Sequence, residues 1–152
     1  MAIVRVDAAT GAIVGRTARF VIAPQAIWRE LIRVKALSPV EVMVLHGLST
    51  FIQFRTNALA QHGAPMTIAD MARALDMDAG NMRRYVGALV RKNALGKWQS
   101  GPQTEYVVNP ALYRVGTPDP AIVLLFDQRR EKYRRDGRLP LTIHGRATTL
   151  VP

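Results

Sequence analysis

Arginine and asparagine side chains recur on a short stretch of this 152-residue chain, at Asn81, Arg83, Arg84 and Arg91. An arginine can donate two parallel hydrogen bonds to O6 and N7 of guanine, and an asparagine can bond N6 and N7 of adenine. If a helix presents such side chains on one surface, that surface can read base edges in the major groove of DNA.

Two short amphipathic helices would position these side chains. Thr67 is a suitable N-cap with Asp70 three residues on, and an apolar series follows at helical spacing, at Ile68, Met71, Ala72 and Leu75. Asp78 is a second N-cap candidate, and it precedes a second apolar stripe, at Met82, Tyr85, Val86 and Leu89. Two helices with a tight break between them are typical of a helix-turn-helix, whose second helix enters the major groove.

Small residues lie opposite the second apolar stripe, at Gly80, Gly87 and Ala88. Glycine inside a helix costs roughly 1 kcal/mol relative to alanine, so Gly87 in the middle of the helix requires a reason. Close approach of the helix to a sugar-phosphate wall is one such reason. The alternative is that the two helices are a corner of an ordinary core and carry surface arginines.

A β-hairpin is predicted directly after this second helix. Leu95–Trp98 and Glu105–Val108 are typical of short strands, and a polar Gly-Pro tip over residues 99–104 separates them. In this position a hairpin would be the wing of a winged helix, and Lys97 and the tip could reach phosphate or the minor groove. The alternative is an ordinary hairpin. The residues predicted to contact DNA are Thr67, Asp78, Ala79, Gly80, Asn81, Arg83, Arg84, Arg91, Lys92, Lys97, Gln99 and Ser100.

The composition favours a nucleic-acid partner. The formal net charge is +10 and the pI is about 11, which favours a polyanion, nucleic acid first and an anionic membrane second. There is no cysteine, so disulfide and thiolate chemistry are excluded. The N-terminus lacks the features of a signal peptide, and the longest apolar run, Ala121–Phe126, is far shorter than the ~20 residues of a membrane span. We expect a cytoplasmic protein that does not bind membranes.

The N-terminal part predicts a hairpin and a short helix. Residues 2–22 are typical of strands, and their arginines form a basic arm that either lies on the DNA backbone or is a solvated edge. A short helix from Gln25 to Val34 is predicted to bury one face, which carries Ile27, Trp28, Leu31 and Ile32.

A long central helix should follow. Ser38 and Glu41 form a capping box around Pro39. The predicted buried stripe of this helix is Val40, Met43, Val44, Gly47, Leu48, Phe51 and Ile52. Residues 57–65 are interpreted as a loop because Gly63 and Pro65 interrupt regular structure.

The C-terminal part predicts a helix that starts near Thr117–Pro120. Its first half, Ile122–Phe126, is apolar almost all round, so it needs a partner on more than one side. The core and a second subunit would satisfy it, and we therefore expect a homodimer. Its second half carries possible DNA-backbone contacts, at Arg129, Arg130, Lys132, Arg134 and Arg135, or is merely a solvated helix end. Residues 139–152 are either a frayed tail or a small added strand.

No arrangement for catalysis is evident. The three histidines, His46, His62 and His144, are widely separated and lack metal-ligating neighbours at helical spacing. No glycine-rich phosphate loop with its lysine is present, and the carboxylates do not cluster apart from Asp76 and Asp78, which serve the turn and the cap. We expect a binding protein rather than an enzyme, without metal, cofactor or small-molecule substrate.

The order of these parts resembles the plasmid replication proteins of the RepL type and their phage relatives. The resemblance covers roughly residues 7–126 and is carried by Thr10-Gly11, Leu37-Ser38, Val42, Leu45 and Leu48, the helix-turn-helix ending at Leu89–Leu95, and Tyr106–Pro110 after the wing. It implies a winged-helix fold and binding to a replication origin, or regulation of a neighbouring gene.

The predicted fold class is mainly α with small β (α+β), a winged helix-turn-helix with an N-terminal β-hairpin and a C-terminal helix. The predicted parts are an N-terminal arm (residues 1–24), the winged core (25–116), the C-terminal helix (117–138) and a tail (139–152). The first hypothesis is a sequence-specific binder of duplex DNA that acts in plasmid or phage replication or as a transcriptional repressor. The second is a basic structural or RNA-associated protein without sequence specificity.

Overall fold

The computed structural model describes residues 21–23, 25–33 and 35–135, with the side chains of all of these except residues 100 and 129–135. Residues 1–20 of the predicted arm and the predicted tail lie outside the described residues. The elements, in chain order, are β1 (Val21–Ile22), α1 (Gln25–Arg33), α2 (Pro39–Ser49), β2 (Ala60–Gln61), β3 (Ala64–Pro65), α3 (Ile68–Ala74), α4 (Ala79–Arg91), β4 (Leu95–Ser100), β5 (Gln103–Val108), β6 (Arg114–Val115) and α5 (Pro120–Arg135).

Among the described residues, helices supply about half of the buried apolar side chains, strands and connections supply the rest, and the strands pair in three antiparallel couples. β1 pairs with β6, β2 with β3 and β4 with β5. The β4–β5 hairpin directly follows α4, which is the arrangement of a winged helix-turn-helix. The predicted α+β class is confirmed.

The helix-turn-helix forms where it was predicted. Thr67 caps α3, since its hydroxyl accepts from the Asp70 N–H at 3.1 Å while the Asp70 carboxylate accepts from the Thr67 N–H at 2.9 Å. The Asp78 carboxylate caps α4 by accepting from the Asn81 N–H at 3.0 Å. The inner faces of the two helices enter one core and bury Met71, Ala72, Met82, Val86 and Leu89.

The predicted buried stripe of α2 is wrong in part. The helix buries Glu41, Val44, Leu45, Leu48 and Ser49, whereas Val40 and Met43 are exposed and Phe51 and Ile52 follow the end of the helix. Apolar residues occur on nearly every side of α2, so their period alone does not select a face. An ion pair selects it, because the Lys92 ammonium of the α4 C-cap lies 2.6 Å from Glu41 Oε1 and holds that carboxylate inside.

Two other predictions from the sequence are corrected. On α1, Ile27 and Leu31 are buried, but Ile32 is 65% exposed, because the contact face of this short helix is narrow. Trp28 is a core anchor as predicted, and its indole N–H donates to the Leu112 carbonyl at 2.8 Å.

The predicted loop at residues 57–65 contains the β2–β3 hairpin, whose two turn residues, at 62 and 63, both have positive φ, as a tight type I′ turn requires.

Three fully buried asparagines join the end of α4, the wing and α5. The Asn57 amide donates to the carbonyls of Val108 and Tyr113 at 2.8 and 2.7 Å. The Asn109 amide donates to the Asn93 carbonyl at 2.9 Å, and the Asn93 amide donates to the Phe126 carbonyl at 3.1 Å. The asparagines thus supply donors to backbone carbonyls where the regular elements end.

The predicted C-terminal helix is confirmed as α5, which begins at Pro120. Val123 and Phe126 are buried, and the Phe126 ring meets the Trp98 ring of the wing edge-on at 6.4 Å. Leu124 and Leu125 remain 50% and 39% exposed. The described core therefore covers one side of the apolar segment and leaves another side open.

Replacing Asn57 with alanine should destabilise the fold by about 2–4 kcal/mol. The change removes the donor to two buried carbonyls and places an alanine at φ +56°, a left-handed conformation. Urea unfolding followed by circular dichroism measures the loss. Asn57→Gly tolerates the positive φ and should recover part of the stability, whereas an alanine variant as stable as the wild type would contradict the role of this amide.

Candidate nucleic-acid interface

The outer face of α4 carries alternating glycine and arginine. Because Met82, Val86 and Leu89 point into the core, the opposite line of the helix, at spacings of four, three and four, is Gly80, Arg84, Gly87 and Arg91. Asn81 and Ala88 flank this line, and Gly80, Asn81, Arg84 and Arg91 are exposed. We call the six residues the α4 outer face.

Neighbouring arginines on α4 point in different directions, since consecutive residues of a helix are separated by about 100°. The Arg84 guanidinium stacks on the Tyr85 ring at 5.1 Å and lies 3.4 Å from its hydroxyl. Tyr85 is half-buried in the core, so it braces Arg84 in one direction. Arg83 lies on the other flank of the helix and faces the wing.

Gly87 of the outer face has no reason inside the protein to be glycine, whereas a Cβ on Gly80 would lie 3.0 Å from Asp78 Oδ2, which caps α4. Both lie in ordinary helical backbone, and a Cβ on Gly87 would meet only the Arg91 guanidinium, at 3.4 Å. Gly47 of α2 is different, because a Cβ there would lie 2.6 Å from Leu75 Cδ2. Gly47 is thus explained by packing within the chain, and Gly87 is not.

The wing strands pair without a bulge from Leu95↔Val108 to Ser100↔Gln103. The strands are longer than predicted, and only Gly101 and Pro102 form the tip, where Gly101 has φ +63°. Lys97 and Gln99 are exposed on β4. The Gln99 side chain accepts from the Thr104 hydroxyl at 3.1 Å across the hairpin.

A cleft of about 500 Å³ separates the wing from the helix-turn-helix. Its walls are the start of α3 (Thr67–Ala69), Arg83 of α4, and Pro102–Thr104 and Tyr106 of the wing. We call it the wing cleft. Sequence reasoning predicted Thr67 and Arg83 but missed Thr104 and Tyr106, although alternation along β5 places these two on one face.

The remaining predicted residues divide into three groups. Thr67 and Asp78 use their side chains as helix caps, and Ala79 opens α4 beside the outer face. Lys92 is held by Glu41, whose side chain is 6% exposed. Burial by itself raises the pKa of Glu41, but the bonds from Lys92 and the Ser38 N–H outweigh it and leave that pKa lowered. The side chains of Ser100 and of the basic residues predicted at positions 129–135 lie outside the described ones.

Residues 57–97 match the family model of the IclR helix-turn-helix domain. This segment contains β2, β3, α3, α4 and the start of the wing. The chain carries a winged helix-turn-helix DNA-binding domain. No curated protein and no solved structure gives a significant match. The matched domain supports DNA binding and does not single out the RepL-type replication proteins.

Two further observations concern the part of the chain that the structure describes. It contains no group of three or more His, Asp or Glu side chains placed to hold a metal ion. None of its helices is both long enough and apolar enough to cross a membrane.

Gly87→Ala should stabilise the fold and weaken DNA binding. Helix propensity improves by about 0.5–1 kcal/mol, while the added methyl group holds the helix away from any surface against which Gly87 packs. Thermal unfolding and fluorescence anisotropy with a labelled duplex measure the two effects.

Gly47→Ala is the matched control for this change. Overlap of its methyl group with Leu75 should lower stability, and DNA affinity should stay unchanged. If Gly87→Ala binds duplex DNA as tightly as the wild type, the glycine does not serve close approach to DNA.

Proposed function

We propose that this protein is a sequence-specific binder of duplex DNA that regulates transcription, with α4 in the major groove and the wing beside it. It acts by binding and not by catalysis, in the cytoplasm where its DNA target lies. The observation that carries the proposal is the α4 outer face, in which Gly87, a glycine without a packing role, lies between Arg84 and Arg91, whose side chains can reach base edges.

Base readout is assigned to Asn81, Arg84 and Arg91. Arg84 suits this role because Tyr85 fixes its direction, so less side-chain freedom is lost when it binds. Asn81 is exposed in the first turn of α4, the part of a recognition helix that contacts bases in helix-turn-helix proteins. Lys92 is not assigned a DNA contact, because its ammonium is bound to Glu41.

Selection of bound duplexes from a random library, followed by footprinting, tests the proposal. A short defined site is expected. Binding that depends on DNA length but not on sequence would contradict it and support the structural or RNA-associated alternative.

With a defined site in hand, Asn81→Ala and Arg84→Ala should each weaken specific binding by about 1–3 kcal/mol and relax preference at one base pair. Arg29→Ala is a matched control, since Arg29 is exposed on α1 outside this surface. Unchanged affinity and preference in both outer-face variants would exclude this role for the outer face.

Replication initiation is the second candidate, and the resemblance to RepL-type proteins over residues 7–126 supports it. The two candidates differ in where the selected site lies and in what the protein does there. Transcription regulation expects a site at a promoter and a change in reporter expression. Replication expects repeated sites at an origin and loss of replication when Arg84 is replaced.

We further propose that the protein binds DNA as a homodimer through the exposed side of α5. Leu124 and Leu125 leave apolar surface open beside the buried pair Val123 and Phe126, and two-fold dimers match paired half-sites on DNA. Because Leu124 is half-exposed, a charge there should not disturb the core.

Leu124→Glu should therefore yield folded monomers in analytical ultracentrifugation. The control Ile32→Glu adds the same charge at a residue that is 65% exposed on α1, and it should leave the dimer intact. A wild-type protein that sediments as a monomer at tens of micromolar would contradict dimerisation.

A further inference from the structure

The wing cleft contains a buried tyrosine whose hydroxyl has no partner. Tyr106 is 7% exposed and lines the cleft, and its hydroxyl makes no hydrogen bond within the part of the chain that the structure describes. The other buried tyrosine, Tyr113, has its hydroxyl 2.9 Å from His46 Nδ1. The Tyr106 hydroxyl is not among the buried polar atoms without a partner, so it opens into the wing cleft and can donate to a group that enters from outside.

An unpaired cation lies in the same cleft. Arg83 is exposed, and among the described residues its guanidinium forms neither an ion pair nor a hydrogen bond. Burial raises the pKa of Tyr106, and the Arg83 charge lowers it in part. The hydroxyl therefore stays protonated at neutral pH, and both groups present N–H or O–H donors to the cleft.

The rest of the cleft lining is compatible with an anion. The lining residues include no carboxylate. Two acids are adjacent in sequence to lining residues. Asp70 accepts from the Thr67 N–H and pairs with Arg73, and Glu105 alternates to the opposite face of β5, where it lines a different cleft. Thr67 and Thr104 also line the walls, but the Thr104 hydroxyl donates to Gln99 and the Thr67 hydroxyl serves the α3 cap.

We infer that the wing cleft binds one phosphate group of the DNA backbone, with Arg83 and Tyr106 as its donors. This inference rests on the proposed function and assigns Arg83 a role different from that of Arg84. Phosphate contacts fix the register of a protein on the duplex without reading sequence. Arg83 would hold the wing and α4 on one strand while the outer face reads bases.

The experiment compares Tyr106→Phe and Arg83→Gln with the wild type on two duplexes, the selected site and a random sequence of equal length. Tyr106→Phe removes one oxygen and keeps the ring in the core. Both variants should weaken binding to both duplexes by a similar factor, about tenfold for a hydrogen bond to a charged group. The slope of log affinity against log salt should become shallower by about 0.9 for Arg83→Gln, and it should not change for the neutral Tyr106→Phe.

Two control variants accompany them. Tyr113→Phe also removes a buried tyrosine hydroxyl, and Arg29→Gln also removes an exposed cation, but neither residue lines the wing cleft. Both should bind DNA as the wild type does. Thermal unfolding of every variant checks that the fold persists.

Each other outcome overturns the inference in an identifiable way. If the wild type binds DNA and both cleft variants bind equally well, the inference fails and the proposed function stands. If Arg83→Gln weakens only the selected site and changes base preference, Arg83 reads sequence. If millimolar inorganic phosphate stabilises the wild type but not Tyr106→Phe, and DNA binding is unaffected, the cleft binds a free anion. If the wild type binds neither duplex, the proposed function fails as well.

Discussion

The placement of the wing against α4 and α5 depends on two asparagine side chains, Asn93 and Asn109, that are buried where regular elements end. Asn93 ends α4 with φ +60° and donates to the Phe126 carbonyl of α5, while Asn109 leaves the wing and donates back to the Asn93 carbonyl. A buried carbonyl without a hydrogen-bond donor costs about 1–3 kcal/mol. A different placement of these segments would therefore destabilise the fold, because it would remove the donors to these carbonyls. The amides join the end of α4, the end of the wing and α5 in one arrangement.

The α4 outer face consists of the residues of the helix that do not pack in the core. The inner stripe of α4 is buried in the core, which turns Arg84 and Arg91 outward with Gly87 between them. Charge is distributed unevenly among the basic residues: the Lys92 ammonium is paired with the buried Glu41 carboxylate, whereas Arg83 and Arg84 are exposed and have no carboxylate partner among the described residues. The net charge of +10 favours binding to DNA of any sequence. Which base edges the protein can contact depends instead on the direction of two or three guanidinium groups.

Helix geometry places the neighbouring residues Arg83 and Arg84 in different surroundings. Arg83 and Arg84 are adjacent in sequence, yet one faces the wing cleft and the other lies on the Tyr85 ring. A contact that anchors the backbone and a contact that reads bases can therefore come from consecutive residues. In the proposed complex with DNA, one helix and one hairpin would supply both the backbone contacts and the base contacts.

The sequence by itself determined the local elements with clear chemical signals. The caps at Ser38, Thr67 and Asp78 and the apolar periods of α3 and α4 were sufficient for the helix-turn-helix, because each depends on residues within one or two turns. The face of α2 could not be predicted, since that helix is apolar on nearly every side and its orientation depends on Lys92, which lies 51 residues away in sequence from Glu41. The exposure of Ile32 likewise depends on how little of α1 the core covers. Only the tertiary structure brought Tyr106 and Arg83 to one cleft and paired Lys92 with Glu41. These contacts join parts of the chain that are distant in sequence, so no local pattern of residues indicates them.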